Sequence, residues 1–218
     1  MKIGATDFNP KEINWTPSAI WLVIMNLIPI GGVFLFGWDV GTLLFLYWVE
    51  SVIIGLLNIP KILSCRGYDN SVGRAAGKGG LTYLAIFFTV HYGMFSVGHI
   101  VFLSSFFDSI PSILDVFNGT RSGAGILLTM CGLGLSHVMS MLLNFYGKKE
   151  YLNRSAHTQM FMPYGRIVVM HVVIIVGGML VQAFGQPILA LLLLVGLKII
   201  IDLVAHSVEH KVSKVGIS

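Results

Sequence analysis

The sequence predicts an all-α, polytopic transmembrane helix bundle of about six spans with both termini cytoplasmic. Three observations carry that prediction. Of 218 residues, 55% are hydrophobic and only 11% charged, against about 25% charged in a soluble domain. Apolar runs long enough to cross the hydrocarbon core recur along the chain, and basic residues collect between alternate runs. The whole length, 1–218, reads as one transmembrane domain, with cytoplasmic loops at 66–80 and 148–164 and an outer loop at 107–122.

The runs fall at 18–36, 41–64, 81–106, 123–147, 165–184 and 187–208. Trp15, Trp21, Trp38 and Tyr83 lie near their ends, where amphipathic rings favour the membrane interface. Pro29 followed by Gly31 and Gly32 should kink the first span, and Pro60 should bend the second near its exit. The first eighteen residues carry Lys2, Asp7, Lys11 and Glu12 and no A-x-A cleavage site, so the first span is expected to stay in the protein.

Lys61, Arg66, Arg74 and Lys78 follow the second span, and Lys148, Lys149, Arg154 and Arg166 surround the junction of the fourth and fifth. Lys2, Lys11, Lys211 and Lys214 flank the termini, whereas the opposite face has Arg121 beside Asp39, Asp108 and Asp115. An even number of spans with cytoplasmic termini fits this asymmetry. The formal charge of +4 therefore marks topology and gives no reason to expect nucleic acid. Cys65 and Cys131 are too few for a disulfide framework and read as reduced packing residues. The glycine-rich stretch 66–80 lacks the G-x-x-x-x-G-K-[ST] spacing of a phosphate cradle and reads as a basic linker. Residues 147–164 read as an interfacial connector or an amphipathic lid over the bundle.

Polar residues inside the spans locate the chemistry. An ionisable group at a helix centre costs about 2.5–3.5 kcal/mol on insertion scales, so it is expected to be paired, bound to metal or part of an ion path. Counted at 1.5 Å per residue from the outer helix ends, His91, His137, His171 and Asp202 share a level about 20–23 Å deep. Glu50 and Lys198 lie higher, at about 14–17 Å, and are expected to pair. His206 lies near the cytoplasmic rim, one turn after Asp202 on the same stripe. Imidazoles and a carboxylate suit zinc or iron, so His91, His137, His171, Asp202 and His206 form the predicted metal shell. Each histidine also has a plainer reading, hydrogen-bonded to a neighbouring hydroxyl, amide or carbonyl from groups such as Ser96, Ser136, Ser140, Thr89 and Asn144.

Several of these residues recur in a combined pattern. The second span carries Tyr47-Trp48-Val49-Glu50, Gly55, Asn58 and Lys61, and the third His91-Tyr92-Gly93 and His99. Ser136-His137 lies in the fourth, Pro163-Tyr164 with Arg166 and His171 opens the fifth, and Lys198, Asp202 and His206 lie in the sixth. Together they resemble an uncharacterised family of short prokaryotic six-helix integral membrane proteins, a domain of unknown function. The resemblance spans nearly the whole chain; it implies a membrane location and a role for these polar positions, with no reaction attached. Asp202-x-x-x-His206-x-x-x-His210, with Ser96 and His99, is also similar to the seven-helix progestin/adiponectin-receptor and alkaline-ceramidase proteins. That similarity implies a precedent for zinc held by three histidines in a bundle that hydrolyses lipid amides.

The leading expectation is an intramembrane metal-dependent hydrolase acting on a lipid or another membrane-soluble substrate. Glu50 would serve as general acid or base, and Lys198 would stabilise a developing oxyanion. The alternatives are a haem-binding redox protein, a proton- or ion-coupled transporter and a non-catalytic membrane scaffold. A multi-pass place in the cell membrane, the bilayer as partner and a homo-oligomer that completes a pathway are expected alongside.

Overall fold

The computed structural model describes residues 39–69, 74–75, 77–107, 110–117, 119–185, 192–193 and 196–197. The predicted first span, with Pro29, and nearly all of the sixth, with Lys198, Asp202 and His206, lie outside the described residues. Within them, four helical runs are long and apolar enough to cross a membrane: Val40–Ser64, Lys78–Phe106, Ser122–Tyr146 and Ala156–Phe184. They match the predicted second, third, fourth and fifth spans. Apart from one two-residue antiparallel ladder, Tyr68–Asp69 (β1) with Arg74–Ala75 (β2), the described structure is helical.

Local chemistry sets the helix ends. Helix α1 (Val40–Ser64) begins at Asp39, whose Oδ1 accepts the Thr42 amide at 2.8 Å and satisfies one of the N–H groups left open at a helix start. Pro60 is accommodated inside α1, and its carbonyl accepts the Ser64 hydroxyl at 2.7 Å and the Tyr146 hydroxyl at 3.3 Å. Helix α2 (Lys78–Phe106) follows the ladder. A short α3 (Ile113–Phe117) lies in the predicted outer loop. Helix α4 (Arg121–Ser140) is capped by Thr120 Oγ1, which accepts from Gly123 N at 3.1 Å, and continues as a π-helix over Met141–Tyr146.

The fifth predicted span starts earlier than its apolar run suggested. Ser155 Oγ accepts the Thr158 amide at 3.2 Å and opens α5 (Ala156–Phe161). A turn at Met162–Pro163 leads into α6 (Tyr164–Val172), a π-helix over Val173–Gly177 and α7 (Gly178–Phe184). Proline is tolerated at a helix start because the missing N–H would have no partner there. Polar residues between 155 and 164 masked this helical character in the hydropathy profile.

The apolar core has two main layers. Leu44, Tyr47, Leu103, Phe107, Met170 and Val173 form one, with Leu193 and Leu197 packed against it. Ile62, Phe88, Tyr92, Phe145, Met160 and Ile167 are among the residues of the other. A smaller cluster of Leu43, Leu46, Val116 and Ile126 ties α1 to α3 and α4. Large apolar side chains such as Ile86, Val90, Val97, Leu128 and Leu135 remain exposed on the outside, the pattern of a bundle covered by lipid instead of water.

The regions predicted to be cytoplasmic meet at one end of the bundle. Arg66 N donates to Tyr151 O at 2.8 Å and Gly67 N to Arg154 O at 3.0 Å. A Cβ at Gly67 would lie 2.5 Å from the backbone of Asn153 and Arg154, so this crossing requires glycine. The segment 147–164 is therefore built into the bundle, with Ala156, Gln159 and Met160 buried. Cys65 is buried at the same end, and burial pushes its thiol up to about 11.

Two glycines of similar sequence character have opposite surroundings. A Cβ at Gly55 would lie 2.5 Å from the Tyr92 ring, whereas at Gly93 it meets nothing within 4 Å. Gly55→Ala is expected to lower the unfolding temperature in detergent by the equivalent of about 1–3 kcal/mol. Gly93→Ala should be neutral or stabilising by up to about 1 kcal/mol. Equal effects would contradict the α1–α2 packing.

Candidate functional site

Glu50 is buried on α1 and is approached from two other helices. Arg166 of α6 donates from Nη2 to Oε1 at 3.0 Å, and its Nη1 lies 2.8 Å from Oε2. That second approach is a close charge contact without the alignment of a hydrogen bond. His137 of α4 brings Nε2 to 3.1 Å from Oε1. Glu50 therefore holds α1, α4 and α6 together through one carboxylate. Its side chain is 11% exposed, those of Arg166 and His137 25% and 27%, so the pair is shielded on the glutamate side and reachable on the other. The Arg166 guanidinium also lies over the Tyr47 ring at 5.5 Å, within range of a cation–π attraction.

Three other described histidines, His91, His99 and His171, form separate pairs. His91 Nδ1 lies 2.8 Å from the Tyr164 hydroxyl, and its ring stacks on Phe87 at 5.2 Å. His99 Nε2 lies 2.9 Å from His171 Nδ1, and that same Nδ1 lies 3.0 Å from the Ile167 carbonyl oxygen. If Nδ1 of His171 carries its proton, it donates to Ile167 O and His99 Nε2 accepts; otherwise His99 is the donor. His137 and His171 each sit just ahead of a π-helical segment, at Met141–Tyr146 and Val173–Gly177. Such segments widen a helix locally and recur at functional sites.

The predicted site residues can now be placed. Glu50 and His137 are brought into contact; His91 and His171 are each in a different pair. Among the described residues, no three His, Cys, Asp or Glu side chains gather as a metal shell requires. Lys198, Asp202 and His206 lie outside the described residues, and so does the expected Glu50–Lys198 pair. Arg166 takes a place beside Glu50 that the sequence does not give it: there it reads as a topology charge and as one position of the family pattern, with no partner assigned. Its position in the first turn of a predicted span, five residues before His171, was the available signal. Tyr164 and His99 were likewise missed as histidine partners.

Below this centre lies a cavity of about 260 Å³. Arg166 lines it together with Asn58 and Lys61 of α1, Ser140 and Asn144 of the α4 run, and Glu150, Arg154 and Gln159 of the connector. Asn58 and Gln159 are both buried and mutually bonded: Gln159 Nε2 donates to Asn58 Oδ1 at 2.6 Å and Asn58 Nδ2 to Gln159 O at 3.2 Å. Two amides in reciprocal contact satisfy groups that would each cost about 1–3 kcal/mol if left unmade. Arg154 reaches Glu150 at 3.6 Å. Arg166 is thus shared, facing the cavity on one side and Glu50 on the other.

Residues 10–215 match a family of unknown function (DUF6498). The chain belongs to that family. No curated protein and no solved structure matches it. DUF6498 membership agrees with the family resemblance read from the polar pattern and assigns no activity.

Removing one partner of a mostly buried ion pair costs about 3–5 kcal/mol, because the other charge stays behind. With a quarter of the Arg166 side chain exposed, Arg166→Met should fall at the low end, about 3 kcal/mol. Glu50→Gln in the Arg166→Met background should recover most of that loss. Unfolding of the four variants in detergent gives the coupling, and simple additivity would contradict the contact.

Proposed function

We propose that this is a multi-pass membrane protein, basic end toward the cytoplasm, with an intramembrane acid–base centre that hydrolyses a lipid or another membrane-soluble substrate. The observation that carries this reading is Glu50 bridging His137 and Arg166 directly above a polar cavity. A carboxylate that holds one imidazole nitrogen fixes the tautomer and orientation of the ring, and stabilises the imidazolium formed when the other nitrogen takes a proton.

In that arrangement His137 gives its Nε2–H to Glu50 and receives a proton from water at Nδ1. The hydroxide so formed adds to a carbonyl or phosphoryl centre of the substrate, and the proton passes on to the leaving group as its bond breaks. Arg166 keeps the buried carboxylate charge-compensated and oriented. A general base held this way contributes about 10²–10⁴-fold in rate.

A divalent metal, zinc or iron, remains the alternative source of an activated water. His137 and His91 each have one ring nitrogen held by a protein oxygen, which is how ligating histidines are usually oriented. Among the described residues the histidines belong to separate pairs, and no three of His, Cys, Asp or Glu gather in one shell. Elemental analysis of the purified protein addresses that alternative.

Total lipid from cells producing the wild-type protein, Glu50→Gln or His137→Ala, compared by mass spectrometry, tests the reading. The wild type is expected to deplete one lipid class with a matching rise in its hydrolysis product. Both variants should lose about 10²-fold or more of that turnover. Identical lipid profiles for wild type and variants would contradict it.

A further inference from the structure

We infer that the cavity at the basic end is a binding site for a phosphate group carried on an anionic lipid headgroup. This names the substrate class of the centre proposed above and rests on that reading for its chemistry. Binding is measured without turnover, so the two ideas fail separately.

Three cations from three elements line the cavity, Lys61 of α1, Arg154 of the connector and Arg166 of α6, against one carboxylate, Glu150. Arg166 is committed to Glu50. The other two are held by weaker acceptors. Lys61 makes no ion pair among the described residues and has its Nζ 5.6 Å from the Phe145 ring. Arg154 reaches Glu150 at 3.6 Å, the Gln159 amide oxygen at 3.5 Å and the Met162 thioether at 2.8 Å. A good charge-assisted bond is about 2.7–2.9 Å to an ionised oxygen, and a thioether is a weak acceptor. A phosphate offers several oxygens that both cations can reach at better geometry than their present partners provide.

Size and surroundings favour a lipid over a free ion. At about 260 Å³, the cavity is slightly below the roughly 300–1,000 Å³ of sites that enclose a whole small molecule, which fits a headgroup whose chains stay outside. Met162 forms part of its wall and is 57% exposed. Leu142 and Leu143, flanked by the cavity residues Ser140 and Asn144, and Phe161, next to Met162, are also exposed. Acyl chains have an apolar surface to lie on at the mouth. Basic pockets between transmembrane helices near the anionic cytoplasmic leaflet are known headgroup sites.

The test is native mass spectrometry of the purified full-length protein in detergent, titrated with phosphatidylglycerol, phosphatidylcholine or inorganic phosphate. Phosphatidylglycerol should bind about tenfold more tightly than phosphatidylcholine. Lys61→Gln and Arg154→Gln should each weaken it about fivefold, the effect of one basic residue near an anionic lipid, and narrow the preference over phosphatidylcholine. An unchanged unfolding temperature in detergent confirms that a variant is folded, and if one variant does not fold the other carries the test. Lys148→Gln, at the same end but outside the cavity wall, should have no effect. Equal binding of the two lipids, or insensitivity to both substitutions, overturns the site. Displacement of phosphatidylglycerol by inorganic phosphate at equal affinity overturns the lipid as its source.

Discussion

One carboxylate placed inside an apolar helix constrains the rest of this bundle. The interior of an apolar helix bundle offers little water to a charge, so Glu50 finds its partners within the protein. It finds them on two helices distant in sequence, His137 and Arg166. That requirement fixes the rotation of α1, α4 and α6 about their axes, since each must turn one polar position inward while leaving apolar faces outside. The apolar layers on either side then pack around an arrangement that electrostatics has already set.

The same rule explains the other polar contacts. Trp48 Nε1 donates to the Ser96 carbonyl at 2.8 Å, and the Tyr92 hydroxyl donates to the Ser51 carbonyl at 2.9 Å. Serine and threonine hydroxyls within the helices, such as Thr89 and Ser96, bond back to the carbonyl one turn earlier. The Asn58–Gln159 amide pair anchors the connector to α1. The polar residues of the spans therefore act as cross-ties, and two of these ties, the Asn58–Gln159 pair and the Glu50 centre through Arg166, also border the cavity. That dual placement makes Arg166 both a structural clamp and a wall of the cavity.

Much of the fold was legible in the sequence, because hydropathy over some twenty residues reports directly on burial in hydrocarbon. The span 41–64 is found at Val40–Ser64 and the span 123–147 at Ser122–Tyr146. Helical character between Ala156 and Phe161 was not legible, because a short capped helix carrying His157, Thr158 and Gln159 has no hydropathy signal. The site was half legible. Depth counting singled out Glu50 and His137, which touch, but it placed them about one turn apart in level. It also grouped His91 and His171 with His137, although these make different pairs. Depth along a helix says nothing of the direction a side chain faces around it, and the π-helical segment between His171 and the predicted outer end of its span shifts that direction further. Arg166 was hidden by its dual nature, since a loop-counting rule treats every basic residue near a span end as a topology signal.

The central claim is that Glu50 is shared by His137 and Arg166 across three helices. Solid-state NMR of the isotope-labelled full-length protein in lipid bilayers measures this directly, through carbon–nitrogen dipolar correlations from the Glu50 carboxyl carbon. The structure predicts correlations to the Arg166 guanidinium nitrogens and to His137 Nε2 in one sample, both lost in Glu50→Gln. A Glu50 carboxyl that shows neither correlation while the helices remain folded would contradict the account.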